Sequence, residues 1–490
     1  MIGNEMIKKD LEVFLFGIIF IAAIFSATYR LSESPPTWYD EGVIIQSAKV
    51  MFAHGESGLQ TEPNFIEHVS FLTTGYPVTY PIGIVMNYFG FDLTIVRGVM
   101  IWYLLGLVIV FYILARSLFG VRTAIISLLL LVSFAPLYGN GKNVLGEVPG
   151  LFFLISSFMF VTLWERSVGR MARYYSALLA GLTIGLCVAT KPTFLVALPA
   201  ILVAVIFMKK NNLYFREVSL FIIATLAPIT LWMYTQFLPT DSFMDIMRFY
   251  VDPRSLVDMS GTILTNLSRF VSESTPVYFS ILFVLWVLSI VVRSRSAGRT
   301  ISGAEWGALL FVVLTIMAYL RTAGWYRYLF PAFIPMLLFA PNATHTVFDG
   351  LKDTFQFNLR RGLALTVFVP LVIFQFYQVF FNSFVASYYD STNTVTLQKY
   401  FNALNQGTSV FFYNVPELVQ FLKHDNYYEY LSITDSLDVG RAQLEKLSRG
   451  LPDVVMMNQE MWQGGAHVAN LKNYQKTDEF LRYVVLMKIK

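Results

Sequence analysis

The chain has 490 residues, of which 56% are hydrophobic and only 14% charged, against about 25% charged in a typical soluble domain. Such a chain cannot cover its apolar surface with polar groups, which excludes a soluble multidomain protein and predicts an integral membrane protein. The net charge of +4 gives no ground for a nucleic-acid partner, and a single cysteine, Cys187, excludes an intrachain disulfide.

In chain order, Lys8 and Lys9 precede an apolar run from Leu11 to about Ala27. It is longer than the roughly 7–15 residues of a signal-peptide core and lacks a cleavage pattern, so it reads as a retained first span. A spanning helix needs about 20 mostly apolar residues. Windows of that kind run over 11–29, 95–115, 121–139, 146–164, 174–190, 192–208, 217–236, 276–292, 304–320, 327–344 and 362–381, about eleven helices in all. The stretch 174–208 is divided in two because Arg170 and Arg173 precede it while Lys209 and Lys210 follow it. Basic residues favour the cytoplasm, so both ends belong on the same side.

The same rule orients the whole chain. Lys8, Lys9, Arg116, Arg122, Arg166, Arg293, Arg295, Arg360 and Arg361 crowd short inner segments, which predicts a cytoplasmic N-terminus in the plasma membrane and a C-terminal tail outside. Two outer loops are long, about 30–94 and 237–275, and long loops usually carry function. The first holds two helical patterns suited to the membrane surface, Tyr39–His54 stopped by Gly55 and about Pro81–Phe89 stopped by Gly90. After the membrane domain, 1–381, the tail 382–490 alternates apolar runs (Val410–Tyr413, Tyr428–Ile433, Asp453–Asn458, Tyr483–Ile489) with helical patterns at Pro416–Lys423 and Asp438–Leu447. That is the signature of a small extracytoplasmic α/β domain.

Charges are expensive inside a bilayer, and no predicted span carries one near its middle. They gather instead at the outer ends: Asp40 and Glu41 after the first span, Glu147 entering the fourth, Lys191 between the fifth and sixth, Arg327 before the tenth. Each alone has a bland reading. Acids at a helix start are stabilised by the helix dipole, a lysine between spans reaches for headgroups, and Trp325-Tyr326-Arg327-Tyr328 is an interfacial aromatic anchor. Their shared side is what argues for a site. It disfavours an ion-coupled transporter, whose charges lie near the midplane.

These motifs resemble a known family. An Asp-Glu pair in a long first outer loop followed by surface helices is similar to the GT-C-fold polytopic glycosyltransferases. Tyr76-Pro77, Tyr80-Pro81, Arg97, Leu145-Gly146-Glu147-Val148-Pro149, Thr190-Lys191-Pro192-Thr193 and Arg327-Tyr328-Leu329-Phe330-Pro331 resemble its family-39 branch. That branch holds the protein O-mannosyltransferases, the lipid A aminoarabinose transferase and bacterial relatives. The resemblance covers roughly 1–345, and the large central domain of the protein mannosyltransferases has no counterpart here.

The expected reaction moves a sugar from a polyprenyl-phosphate donor to a hydroxyl of a glycan, lipid or protein. One carboxylate takes the hydroxyl proton, and cations receive the departing phosphate. Asp40 and Glu41 are the catalytic candidates, with Asp40 as base; Lys191, Arg327 and Tyr328 are placed at the donor phosphate, and Glu147 orients acceptor or base. A single displacement implies inversion. No cofactor is required, although oxygen ligands from Asp40, Glu41 and Glu147 admit a shared divalent cation. His54 and His68 read as surface residues. A flippase for lipid-linked sugars and a non-enzymatic outer-face receptor are the alternatives. The first would need a polar path across the bilayer, and the second leaves the Asp-Glu and Lys elements unexplained.

Overall fold

The structure, a computed structural model, describes residues 2–69, 73–208, 214–237, 259–295, 301–350, 357–432, 438–464 and 471–489. The first span is α1 (Ile2–Thr28), and α2 (Tyr39–His54) has the bounds expected from sequence. α2 opens after extended Trp38 and closes on Gly55 at φ 72°, a left-handed position that glycine takes without strain. A small hairpin follows, β1 (Leu59–Glu62) and β2 (Phe65–Glu67), which the sequence reading did not include. The second surface helix, α3 (Tyr76–Phe89), starts well before the expected Pro81, which lies inside it. Pro81 has no N–H to offer the carbonyl of Pro77, one turn back. The Tyr103 hydroxyl takes that carbonyl instead, at 2.5 Å, so the helix tolerates the proline.

The membrane helices continue with α4 (Leu93–Phe119), whose Asp92 side chain caps the amides of Thr94 and Ile95. α5 (Val121–Val132) and α6 (Ala135–Gly141) form one window bent by 61°. Next come α7 (Glu147–Arg166), α8 (Arg170–Thr190), and α9 (Ala197–Ile206), which a short 3-10 turn over Pro192–Val196 leads into. α10 (Phe215–Gln236), α11 (Met259–Ser272), α12 (Ser274–Arg295), α13 (Gly303–Leu320), α14 (Tyr326–Gly350) and α15 (Phe357–Phe381) complete the set.

Every predicted window is helical, but not all eleven are long and apolar enough on their own to count as spans. Among the described residues eight helices are long and apolar enough to cross a membrane, or nine if the bent pair is one span. The stretch 192–206 is short, and α14 carries Pro331, Pro335 and Pro341 within it. The chain is a multi-pass membrane protein.

Small residues bring the helices close, as they do where lipid rather than water surrounds a bundle. A Cβ at Gly181 or Gly185 of α8 would land on the Phe221 and Thr225 carbonyls of α10, and one at Gly303 or Gly307 of α13 on the Ala204 and Ala200 carbonyls of α9. At the ends of the helices remote from Asp40, two similar triads are buried. Trp164 Nε1 and Arg173 donate to Glu217 at 2.9 and 2.7 Å, and Trp286 with Arg293 does the same for Glu305.

The tail begins with α16 (Asn393–Ala403) and folds into a six-stranded mixed sheet. β3 (Val410–Tyr413) lies parallel to β4 (Tyr427–Ser432) and β6 (Val454–Asn458); β5 (Asp438–Val439), β8 (Tyr483–Lys488) and β7 (Tyr474–Phe480) add antiparallel, in the order β5-β4-β3-β6-β8-β7. All four predicted apolar runs are strands. β7 escaped notice because it is an exposed edge rich in charge (Lys476, Asp478, Glu479). The two expected tail helices shrink to single turns, α17 (Pro416–Val419) and α18 (Gln443–Ser448), with Asp438 and Val439 in a strand instead; α19 (Gln459–Gln463) follows β6. The tail shares its core with the first loop: Ile44, Ala48, Val78 and Ile82 pack with Phe412, Leu418 and Val485.

Candidate active site

Neighbouring residues on a helix point about 100° apart, so Asp40 and Glu41 at the start of α2 diverge. Glu41 is fully buried and grips Arg97 of α4 through both oxygens, at 2.8 and 2.7 Å, while the Val144 amide donates to it at 3.2 Å. The remaining Arg97 nitrogen donates to the carbonyls of Leu31 and Pro35. This bidentate pair ties the end of the first span, α2, α4 and the approach to α7 together. Glu41, expected to be catalytic, thus faces Arg97 rather than solvent. Asp40 keeps about a third of its side chain exposed and accepts from Arg327 Nη1.

Arg327 stands at the start of α14 with its guanidinium 4.6 and 5.2 Å from the ring centroids of Trp325 and Tyr328, which stack on each other, and with Nη2 donating to the Tyr328 hydroxyl at 3.4 Å. Aromatic rings at such distances attract a cation. The charges of both Asp40 and Glu147 act on it. Glu147, the first residue of α7, accepts from Lys191 Nζ at 2.5 Å. Lys191 is extended between α8 and the 3-10 turn, so its side chain leaves the helix axis and runs past Gly146. The Gly75 amide donates to the Thr190 carbonyl at 3.0 Å and fastens the first loop at this point. Asp40, Arg327, Glu147 and Lys191 therefore form one chain of alternating charge, built from four separate elements.

Two buried atoms of this chain have no hydrogen-bond partner among the described residues: Arg327 Nε, a donor, and Glu147 Oε2, an acceptor. Buried polar groups are usually paired, so each of these atoms retains capacity for a further hydrogen bond. Beside them opens an apolar cavity of 340 Å³, lined by Pro192, Leu195, Phe311, Ala318, Tyr328 and Pro331. It begins one residue after Lys191 and one after Arg327.

Other polar groups near the site were not singled out from sequence. Lys142 is fully buried, donates to the Tyr29 carbonyl at 2.9 Å, and is pushed down to about 7 by burial and by Arg97. Its position between two apolar windows was the only signal. Gln46 of α2 donates to Glu429 and to the Pro416 carbonyl of the tail, a buried polar contact that no local motif announces. Among the described residues no group of three or more His, Cys, Asp or Glu side chains could hold a metal ion. Asp40, Glu41 and Glu147 each pair with a different basic side chain, Arg327, Arg97 and Lys191 respectively.

A helical membrane domain whose first long loop places a carboxylate against cations of later helices, capped by a small sheet domain, defines a membrane glycosyltransferase of the GT-C class. Residues 17–241, a little under half of the chain, match the family Dolichyl-phosphate-mannose-protein mannosyltransferase. ArnT from Cupriavidus metallidurans bound to undecaprenyl phosphate shares the fold at TM-score 0.66 and 12% identity, over 97% of this chain and 98% of that one. Its apo state gives TM-score 0.67 and 13% identity, with 98% of both chains covered. The archaeal oligosaccharyltransferase AglB from Archaeoglobus fulgidus, in complex with an inhibitory peptide and a dolichol-phosphate, follows at TM-score 0.56 and 13% identity, over 96% of this chain and 73% of that one. No curated protein matches the chain significantly.

Proposed function

We propose that the protein moves a sugar from a polyprenyl-phosphate donor to an acceptor hydroxyl of a glycan, lipid or protein, at the outer face of the plasma membrane. The observation that carries this reading is the pair of buried orphans, Arg327 Nε and Glu147 Oε2, within one charge network whose chain neighbours Pro192 and Tyr328 line an apolar cavity. A phosphate oxygen meets the first, a hydroxyl of the bound sugar other than the reacting one the second, and the prenyl chain suits the cavity. The match to a mannosyltransferase family and the polyprenyl and dolichol phosphates bound by ArnT and AglB favour the same donor class.

In this mechanism the acceptor oxygen bonds to the anomeric carbon as the bond from that carbon to the phosphate oxygen breaks. The proton goes to Asp40, and the phosphate leaves as an anion held by Lys191, Arg327 and the Tyr328 hydroxyl. One displacement inverts the anomeric centre. Arg327 has a second duty: in the unliganded chain it neutralises Asp40. An arriving phosphate competes for the guanidinium and releases the carboxylate to act as base, so the base is free only when donor is present. Glu41 acts through Arg97, fixing the start of α2 and with it Asp40. We place the N-terminus in the cytoplasm and the tail outside, with eleven crossings that include the short 192–206 segment and α14.

The test is incubation of the purified protein with a polyprenyl-phosphate-linked sugar and analysis of the lipid fraction. Release of free polyprenyl phosphate is expected. Intact donor, merely redistributed between leaflets of a vesicle, would mean transport and end the transferase reading.

A further inference from the structure

On the face of α2 turned away from Asp40 lies a second cavity, a cleft of 930 Å³ between the two surface helices and the tail. Gln46 and Lys49, which line it, follow Asp40 by six and nine residues, roughly 240° and 180° around the helix. A group seated in this cleft is therefore not the group that reacts at Asp40.

The lining has a definite chemistry. Six carboxamides face it: Gln46, Gln60, Asn87, Gln398, Asn402 and Gln420. They come from both loop helices, the small hairpin, α16 and the segment after α17. Four aromatic rings, Phe52, Phe91, Phe421 and Tyr427, share the wall. Charge is largely spoken for: Lys49 pairs with Asp425 at 2.6 Å, and Asp92 caps α4. Lys423, His54 and His424 also line it, against the two carboxylates of Asp92 and Asp425, so the carboxamides outnumber either kind of charge.

Polar atoms in this wall are left without partners. Gln420 is 7% exposed, and its Oε1 has no hydrogen-bond partner among the described residues, although its Nε2 donates to the Glu417 carbonyl. Gln46 Oε1 and both ring nitrogens of His424 are likewise unpartnered. The unmet needs are two acceptors and one ring that both donates and accepts. A hydroxyl meets either need, because it carries a donor hydrogen and acceptor lone pairs. Rings of C–H-rich pyranose pack on aromatic faces, which supplies the apolar part of the contact.

We infer that this cleft is a saccharide-binding exosite, which holds a neutral stretch of glycan remote from the transferred sugar. The choice of ligand class rests on the transferase reading; the vacant acceptors and amide lining do not. An extended peptide is the competing occupant. It usually gains affinity by adding to a sheet edge; the edges of the six-stranded sheet, β5 and β7, do not line the cleft, and the short β1–β2 hairpin gives its wall only Gln60 and Ile66.

The test uses the full chain in nanodiscs, applied to an array of neutral oligosaccharides, anionic oligosaccharides and peptides. Neutral oligosaccharides should be retained by the wild type, at least fivefold less by Gln420→Leu and Asn402→Ala, and equally by Asp40→Asn. Asn402 is exposed, so its variant keeps the fold even if Gln420→Leu does not. No retained neutral oligosaccharide, retention unchanged in Asn402→Ala and in a folded Gln420→Leu, or retention of peptides alone would each overturn the assignment. No donor lipid or turnover enters the readout, so a failed transferase assay and a failed array are separate results.

Discussion

Asp40 and Glu41 are adjacent and chemically near-identical, yet their surroundings give them different work. Asp40 is partly open and paired to a residue we assign to the donor phosphate; Glu41 is sealed against Arg97. Asp40→Asn should lower turnover by about 10²–10⁴-fold, the usual loss of a positioned base, while donor binding holds or tightens because Arg327 is no longer neutralised. Titration with a polyprenyl-phosphate analogue alongside product release separates the two effects. Arg327→Lys should bind that analogue about tenfold more weakly, since an ammonium cannot reproduce the flat fork; unchanged binding would remove Arg327 from the phosphate site. A third carboxyl, Glu429 of β4, is fully buried against Gln46, with Glu417, Tyr39 and Tyr427 around it. Burial, then the Glu417 charge, push it up to about 8. The unfolded chain gives up that proton near pH 4.3, about the ordinary value for Glu. Between those limits the folded state holds the extra proton, so this contribution to stability falls as pH rises, by up to about 1.4 kcal/mol per unit, and levels off above pH 8. Glu429→Gln should flatten the decline of melting temperature across that window and melt above wild type at pH 8; superimposable profiles would show that Glu429 is ionised in the fold.

At the scale of elements, α2 is held from three sides. Arg97 fixes its first turn to α4, its apolar face packs on α3, and α17 of the tail lies against Gly42. A Cβ at Gly42 would sit 2.5 Å from the Glu417 Cα and the Pro416 carbonyl carbon. Both are backbone atoms and cannot rotate aside. Gly42→Ala should therefore cost about 1–3 kcal/mol, as overpacking does, and should displace Asp40, two residues away. Thermal melts and product release would report both losses. A variant with wild-type activity would show that the tail does not position the base.

Across the whole molecule, the proposed chemistry occupies one face and the Glu217 and Glu305 triads the other. Cys187 is buried, so replacing it leaves a quiet background for labelling. A cysteine at Val168, between α7 and α8, should react with an impermeant maleimide only after cells are opened. One at Gln406 in the tail should react in intact cells. The reverse pattern would put the site inside the cell, away from the proposed outer-face reaction.

Much of this was legible in the chain itself, because it depends on local physics. Apolar windows long enough for a bilayer mark the helices; Gly55 and the acids before it bound α2, and alternating apolar runs mark the buried strands of the tail. Asp40, Glu147, Lys191 and Arg327 stood out because charge at the end of an apolar helix is costly unless it has a use. What the sequence could not supply is which of these groups meet. The Glu41–Arg97, Glu147–Lys191 and Asp40–Arg327 pairs join residues 56, 44 and 287 positions apart, and no local pattern encodes such partners. The same holds for the start of α3, where a tyrosine from another helix satisfies the carbonyl that Pro81 abandons. Local pattern sets where helices form and which charges are out of place; only packing decides which charge answers which, because pairing is a property of distance in space.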